Sequence, residues 1–171
     1  MSGWDSYRTV HGAELRAAAR EFADHGWPVA GQSADTLLLI TGRALDVLEV
    51  PAAIGRGVCA KLRAADVVVP VAAAPTGSWW YPITSGATLP SALSHVDGVV
   101  LHGAGDAVAA PPSQVPDGWV HWRVAPAACG YGLAPADLIF SAAAGAALLR
   151  ADDTHPGAQR PAGSVAVGLR S

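Results

Sequence analysis

The fold is decided by the stretch Gly98-Val-Val-Leu-His-Gly-Ala-Gly-Asp-Ala-Val-Ala-Ala-Pro-Pro-Ser113. It begins with an apolar strand at 99–101 and passes through a glycine-rich turn at 103–105. A second apolar strand, 107–110, ends at the Pro111-Pro112 pair, because proline cannot donate a ladder hydrogen bond. Two apolar strands joined by a short glycine-rich turn are typical of a β-hairpin, so we predict one here.

Outward from this stretch, helical and strand patterns alternate along the chain. Helices are predicted at 12–25, 52–64 and 135–149, and strands at 36–40, 44–50, 67–73, 78–83 and 119–124. The strands at 36–40 and 44–50 are close enough to form a second hairpin, and those at 67–73 and 78–83 are predicted to be a further strand pair joined by residues 74–77. This order predicts an α+β fold, a curved mixed or antiparallel β-sheet with covering helices. We expect one domain over residues 1–150 and a flexible C-terminal tail over 151–171.

Composition excludes several functional classes. The 171 residues include no apolar run long enough for a membrane helix, and the N-terminus has no apolar signal region. Cys59 and Cys129 are too few for a disulfide framework, which predicts reduced thiols and a cytoplasmic protein. The net charge of −3, with 11 Lys and Arg, does not favour strong non-specific binding of nucleic acid.

Several short motifs follow one another in a fixed order. They are a helix ending in Gly26-Trp-Pro-Val29, an acidic strand at 45–50, a Thr76-Gly77 turn, the ending Ala110-Pro-Pro-Ser113 and a strand with Trp119 and Trp122. In order and spacing, over roughly residues 15–124, the chain resembles the bifunctional primase/polymerase domain of the archaeo-eukaryotic primase superfamily. The resemblance implies a nucleotidyltransferase scaffold, which would use two divalent metal ions clamped by acidic residues on adjacent strands.

The first catalytic motif of that family is a strand with two acidic residues two positions apart, whose side chains share one face. Here Asp46 and Glu49 are three apart, so on a regular strand they face opposite sides. Either Asp46 is retained and its partner is now Leu48, or Glu49 is retained and its partner is now Val47. A β-bulge would be needed to bring both acids to one site. The alternative is that they are ordinary acidic residues near a strand end.

The second motif is a turn with hydroxyl and glycine residues, followed in the family by a histidine that contacts nucleotide phosphates. The candidates for phosphate binding here are Thr76, Gly77 and Ser78, through backbone N–H groups of the turn. The histidine is replaced by one of three aromatic residues, Trp79, Trp80 and Tyr81. Three consecutive rings on a strand occupy both of its faces. One face is expected in the core, and the other is a candidate platform for stacking a base or for contacting a partner.

The third motif lies in the opening stretch, where Val100 occupies the position of the family's metal-binding aspartate. His102 stands where a basic residue follows it, and we assign it to nucleotide phosphate. Asp106 lies beyond the glycine-rich turn and is expected to close that turn. No set of histidines and cysteines has the spacing of a metal site, so no metal is expected.

Alteration of all three motifs predicts a catalytically inactive domain, in which Asp46 and Glu49 are remnants of the catalytic residues. Such a domain would act as a nucleotide-binding, single-stranded nucleic-acid-binding or regulatory module without a cofactor. One alternative is a divergent active nucleotidyltransferase, in which Asp46, Glu49 and Asp106 converge on Mg²⁺ or Mn²⁺. Another is a protein-interaction domain that binds its partner through residues 79–81.

Overall fold

Helices and short antiparallel strands build the part of the chain that the structure describes, residues 3–30 and 33–153 of a computed structural model. The helices there are α1 Gly3–Asp24, α2 Ala52–Ala64, α3 Ser91–Ser94 and α4 Ala136–Asp153, with a 3₁₀ turn at Pro126–Cys129. The strands are β1 Val29–Ala30, β2 Leu37–Ile40, β3 Leu45–Pro51, β4 Val71–Ala73, β5 Ser78–Thr84, β6 Val100–His102, β7 Ala107–Ala110, β8 Gln114–Val115, β9 Gly118–Trp119 and β10 His121–Val124. The predicted α+β class is confirmed.

The strands divide between two sheets and a small ribbon. The larger sheet has the order β10-β4-β5-β3-β6, and each neighbouring pair is antiparallel. The smaller sheet has the order β1-β2-β7, and β8 pairs with β9 in a two-stranded ribbon. Strand β3 therefore lies inside the larger sheet, between β5 and β6.

Each face of the larger sheet packs against a different layer. On one face α2 and α4 cover Leu48 and Val50 of β3 together with Trp79, Tyr81 and Ile83 of β5. On the other face Leu45 and Val47 of β3 join a second apolar cluster, formed with α1, β2 and β7. Alternate residues of β3 therefore serve different layers, as the two-residue period of a strand requires.

Helix α2 lies very close to strand β5 because glycine faces the sheet. A Cβ built on Gly55 would lie 2.6 Å from Cε3 of Trp79, closer than carbon atoms pack. The hydroxyl of Tyr81 donates a 2.7 Å hydrogen bond to the carbonyl oxygen of Gly55 and so ties the helix to the strand. On the far side of α2, a Cβ on Gly57 would lie 2.7 Å from that of Ala146 in α4.

Both predicted hairpins are wrong in their pairing. The residues of the opening stretch form two strands, as predicted, but β6 pairs with β3 whereas β7 pairs with β2. In the same way, β2 and β3 are consecutive strands that belong to different sheets. The turns at 41–44 and 103–106 therefore carry the chain from one sheet to the other. By contrast, the predicted pairing of the strands that flank residues 74–77 is confirmed, as β4 with β5.

These two turns are fastened to each other at one corner of the fold, called here the crossing corner, residues 41–44 and 103–106. The hydroxyl of Thr41 donates a 2.6 Å hydrogen bond to the carbonyl oxygen of Gly103, and its backbone N–H donates to the carbonyl of Asp106 at 3.1 Å. Thr41 is buried. Gly42, at φ +87°, lies directly against Ala104, where a side chain would not fit.

The helix ends differ from the sequence expectation most at the start of α1 and at the end of α4. Helix α1 begins at Gly3, before the predicted start at residue 12, and α2 spans the predicted residues. Helix α4 continues to Asp153, three residues into the segment predicted as a tail. The remainder of that segment, 154–171, lies outside the described residues. Among the described helices none has both the length and the apolar character needed to cross a bilayer.

Candidate functional site

Strand β3 places its two acidic side chains on opposite faces of the larger sheet. Glu49 lies directly opposite Trp80 of β5 and Val100 of β6, which share its face. Asp46 points to the other face and is 1% exposed. No irregularity interrupts the register of β3 with β5 from Leu45 to Pro51, so the strand has no bulge there. The two acids do not share a site.

Asp46 is held by backbone amides from two loops. Its Oδ1 accepts a 3.0 Å hydrogen bond from the N–H of Gly42, and its Oδ2 accepts one of 3.0 Å from the N–H of Ala87. Both carboxylate oxygens are thus used within the fold. The geometry gives Asp46 the function of a structural bridge between the crossing corner and the segment after β5.

On the opposite face, a groove of about 340 Å³ opens between the larger sheet, strand β7 and the β8–β9 ribbon. Four of the predicted site residues line this groove. The lining residues are Glu49, Ala74, Thr76, Trp80, His102, Ala107, Val108, Ala109, Val115, Asp117 and Val120. The structure therefore brings Glu49, Thr76, Trp80 and His102 together and leaves Asp46, Trp79 and Tyr81 elsewhere.

The centre of the groove is a pair formed by Glu49 and His102. Nε2 of His102 lies 2.8 Å from Oε2 of Glu49, and the two side chains are 21% (His102) and 24% (Glu49) exposed. The hydrogen bond from His102 lowers the pKa of Glu49 below its ordinary value, against the opposing effect of burial, with smaller contributions from Ser78 and Trp80. Glu49 is therefore an ionised acceptor at neutral pH.

Trp80 is the aromatic residue that a ligand in the groove can reach. Its indole N–H is buried and has no hydrogen-bond partner among the described residues. Trp79 and Tyr81 point to the other face, where they are 7% and 0% exposed beneath α2. The guanidinium of Arg123 lies 4.3 Å from the centre of the Trp79 ring, so a cation already packs against this buried ring.

The turn at 74–77 uses part of its own hydrogen-bonding capacity. The N–H of Ala74 donates to the carbonyl of Ser78 at 2.9 Å, and the N–H of Gly77 donates to the carbonyl of Ala74 at 3.1 Å. The hydroxyl oxygens of Thr76 and Ser78 lie 3.3 Å apart. What this turn offers to the groove is therefore mainly hydroxyl groups rather than a set of open backbone N–H donors.

Val100 begins strand β6, and Asp106 lies in the turn between β6 and β7. Val100 is 45% exposed at the edge of the larger sheet, beside Glu49. A carboxylate oxygen of Asp106 accepts a hydrogen bond of 3.4 Å from the N–H of Gly103, and this closes the turn. Asp106 is thus engaged in the crossing corner and does not line the groove.

The donor set of the groove does not fit a pair of divalent metals. Such a centre needs several carboxylates on one face, whereas Glu49 has Val47 two residues before it and Val100 across from it. The paired His102 already occupies Oε2 of Glu49. Among the side chains that the structure describes, those of residues 11–30 and 33–151, no three His, Cys, Asp or Glu residues come together as a group that could hold a metal ion.

Asp117 is the lining residue that sequence reasoning missed. It lies between the two strands of the β8–β9 ribbon, in the segment Val115-Pro-Asp-Gly118. A Pro-Asp-Gly sequence is a strong turn signal, and it was the available indication that a ribbon forms here. Its exposed carboxylate adds a second negative charge to the groove.

A comparison with family models matches most of the chain. The model described as bifunctional DNA primase/polymerase, N-terminal, matches residues 2–138 of the 171. No curated protein and no solved structure matches the chain significantly.

Proposed function

Because the chain belongs to the bifunctional DNA primase/polymerase N-terminal family, we propose that it is a non-catalytic member that retains the scaffold and a ligand groove. It binds a nucleotide or single-stranded nucleic acid and does not transfer a nucleotidyl group. The cytoplasm is its proposed location, in keeping with two cysteines that are both free thiols.

One observation carries the loss of catalysis, the single carboxylate in the row of side chains around Glu49. Two-metal catalysis requires ligands that hold both ions about 3.5–4 Å apart. Val47 and Val100 supply none of them, and Asp46 faces the other side of the sheet. The active alternative, in which Asp46, Glu49 and Asp106 converge on a metal, has no support in this geometry.

Binding is supported by the shape and chemistry of the groove. Its volume lies at the lower end of the range for small-molecule sites, about 300–1,000 Å³. It combines a mostly apolar wall with the ring of Trp80 and the polar pair of Glu49 and His102. Base–aromatic stacking contributes roughly 1–3 kcal/mol per base, which is enough to hold a nucleotide weakly without phosphate contacts.

The test is a primer-extension assay with Mg²⁺ or Mn²⁺, paired with a thermal-shift titration. We expect no product above background, and stabilisation by nucleotides or single-stranded DNA that does not depend on metal. Ligand at a hundred times Kd adds about 2.7 kcal/mol to the free energy of unfolding. Product that disappears in Glu49→Ala would establish the active alternative instead.

A second candidate function, protein interaction, is favoured by exposed apolar side chains on the helical side of the molecule. Leu148 and Leu149 of α4 are 69% and 61% exposed, and Val68 is 60% exposed. Residues 79–81, predicted earlier as the contact region, do not support this function, because Trp79 and Tyr81 are buried. A concentration-dependent mass in light scattering, without any response to nucleotides or DNA, would favour this candidate over ours.

Restoring one carboxylate should restore metal binding. In Val100→Asp the new side chain is exposed and lies beside Glu49, where two like charges cost roughly 0.2–1 kcal/mol. Mn²⁺ at ten times Kd should then raise the free energy of unfolding by about 1.4 kcal/mol. The measurement is the thermal midpoint against Mn²⁺ at fixed ionic strength. Val68→Asp is the matched control, and an equal response of this control or of the unaltered chain would contradict the prediction.

A further inference from the structure

The groove offers more hydrogen-bond acceptors than donors. The carboxylates of Glu49 and Asp117 accept, and no lysine or arginine is among the residues that line the groove. A polyphosphate placed there would be repelled by two negative charges and would find no lysine or arginine side chain, while His102 is already paired with Glu49. The groove therefore suits a ligand that has N–H donors and whose phosphates, if it has any, lie outside the groove.

Glu49 has acceptor capacity that the fold does not use. An ionised carboxylate has about four lone-pair sites on two oxygens; the hydrogen bond from His102 at 2.8 Å occupies one of them, and the nearby side chains of Ser78 and Trp80 also stabilise the charge, which leaves part of this capacity for a ligand. The side chain is 24% exposed and lines the groove. The lowered pKa of Glu49 keeps it a pure acceptor at neutral pH. Two parallel N–H donors on one edge would satisfy it best.

The walls around Glu49 suit a flat, largely apolar group. Trp80 stands directly across from Glu49 on the neighbouring strand, within the short distance of a cross-strand pair. The opposing wall is built from Ala107, Val108 and Ala109 of β7. A planar ring with a polar edge therefore matches both the walls and the acceptor.

We propose that the groove binds a guanine base, whose N1–H and 2-amino group donate two parallel hydrogen bonds to Glu49 while the ring packs against Trp80. Among the common bases guanine alone has two adjacent donors on its pairing edge. Adenine and cytosine pair one donor with one acceptor, and uracil has a donor between two carbonyls. The sugar and phosphates point out of the groove into solvent. This inference rests on the proposed function, which selects a nucleobase among planar groups with paired N–H donors.

The experiment is isothermal titration of the full chain with nucleosides that lack phosphate. Guanosine is expected to bind at least tenfold more tightly than inosine, which lacks the 2-amino group, and than adenosine, because a charge-assisted hydrogen bond is lost. Guanosine should also bind at least as tightly as its triphosphate, because the phosphates gain nothing in the groove. L-Arginine amide, which offers the same paired donors on a guanidinium, is the comparison ligand.

A change of specificity tests the assigned contact without relying on loss of binding alone. In Glu49→Gln the side chain offers one acceptor and one donor in place of two acceptors. Guanosine binding should fall at least tenfold, and xanthosine, which has an N–H next to a carbonyl on the same edge, should gain affinity. Asp137→Asn is the control, because it removes the same charge from α4, on the other side of the larger sheet.

The outcomes separate this inference from the proposed function. Equal binding of guanosine and inosine, stronger binding of the triphosphate, or binding of L-arginine amide instead of guanosine would overturn the guanine assignment. Binding of nucleotides or single-stranded DNA would then still support the proposed function. An absence of any response to nucleosides, nucleotides and DNA would overturn both.

Discussion

Asp46→Ala is expected to lower the free energy of unfolding by about 2–4 kcal/mol, because it removes a buried hydrogen-bonded acceptor. The N–H of Ala87 would lose the acceptor that Oδ2 provides at 3.0 Å. The N–H of Gly42 would keep a second acceptor, the carbonyl of Leu45 at 2.9 Å, which limits the loss. For a chain of this size the thermal midpoint should fall by roughly 5–15 °C.

The matched control for this prediction is Glu49→Ala on the same strand. Glu49 is partly exposed where it pairs with His102 in the groove, so its removal should cost less than about 1 kcal/mol. Urea unfolding of the two variants measures the difference directly. If Asp46→Ala were as stable as the unaltered chain, or if Glu49→Ala were the more damaging change, the assignment of Asp46 as a structural bridge would be wrong.

Gly55→Ala is expected to destabilise the protein by about 2 kcal/mol, although alanine favours helix by roughly 1 kcal/mol over glycine. The new Cβ would lie 2.6 Å from the ring of Trp79, so the helix must move away from the sheet. The ring itself cannot yield easily, because it is buried and has Arg123 against it. Overpacking of this kind costs typically 1–3 kcal/mol, and displacement of α2 also weakens the hydrogen bond between Tyr81 and Gly55.

Gly145→Ala is the same substitution in another helix, and it is expected to change the free energy of unfolding in the opposite direction. Gly145 also lies inside a helix, but the group in its way is the end of the flexible Lys61 side chain, which can turn aside. A gain of up to about 1 kcal/mol is expected from helix propensity. Chemical unfolding of both variants and of the unaltered chain measures the two changes in the free energy of unfolding. A stabilised Gly55→Ala would show that the contact between helix and strand tolerates an added methyl group.

Much of the fold could be predicted from local sequence patterns, and the wrong predictions of strand pairing have a common cause. Helix α2 and the pairing of β4 with β5 depend on nearby residues, and both were predicted correctly. The partners of β6 and β7 depend on which layer each strand covers. In sequence, the short glycine-rich turns at the crossing corner look like hairpin turns. The apolar periodicity of a strand shows that one face is buried, but it does not show which layer that face contacts.

The features of the candidate site also divide into those that depend on nearby residues, which could be predicted, and those that depend on distant ones, which could not. The spacing of Asp46 and Glu49 predicted opposite faces correctly, because the period of a strand is a local property. The bridging bonds of Asp46 could not be predicted, since the N–H of Ala87 lies 41 residues away in sequence. The burial of Trp79 and Tyr81, which leaves Trp80 for the groove, became clear once the position of α2 was known.

The crossing corner has a consequence for the order of events in folding. The hydrogen bond from Thr41 to Gly103 joins residues 62 positions apart, so a long loop must be closed before the bond can form. The same corner fixes how the two sheets meet, and the groove lies between them. A chain with most of its helices but without this closure would have no groove to offer. Binding of a ligand there would therefore report that the two sheets have been joined at this corner, and not only that the helices and strands have formed.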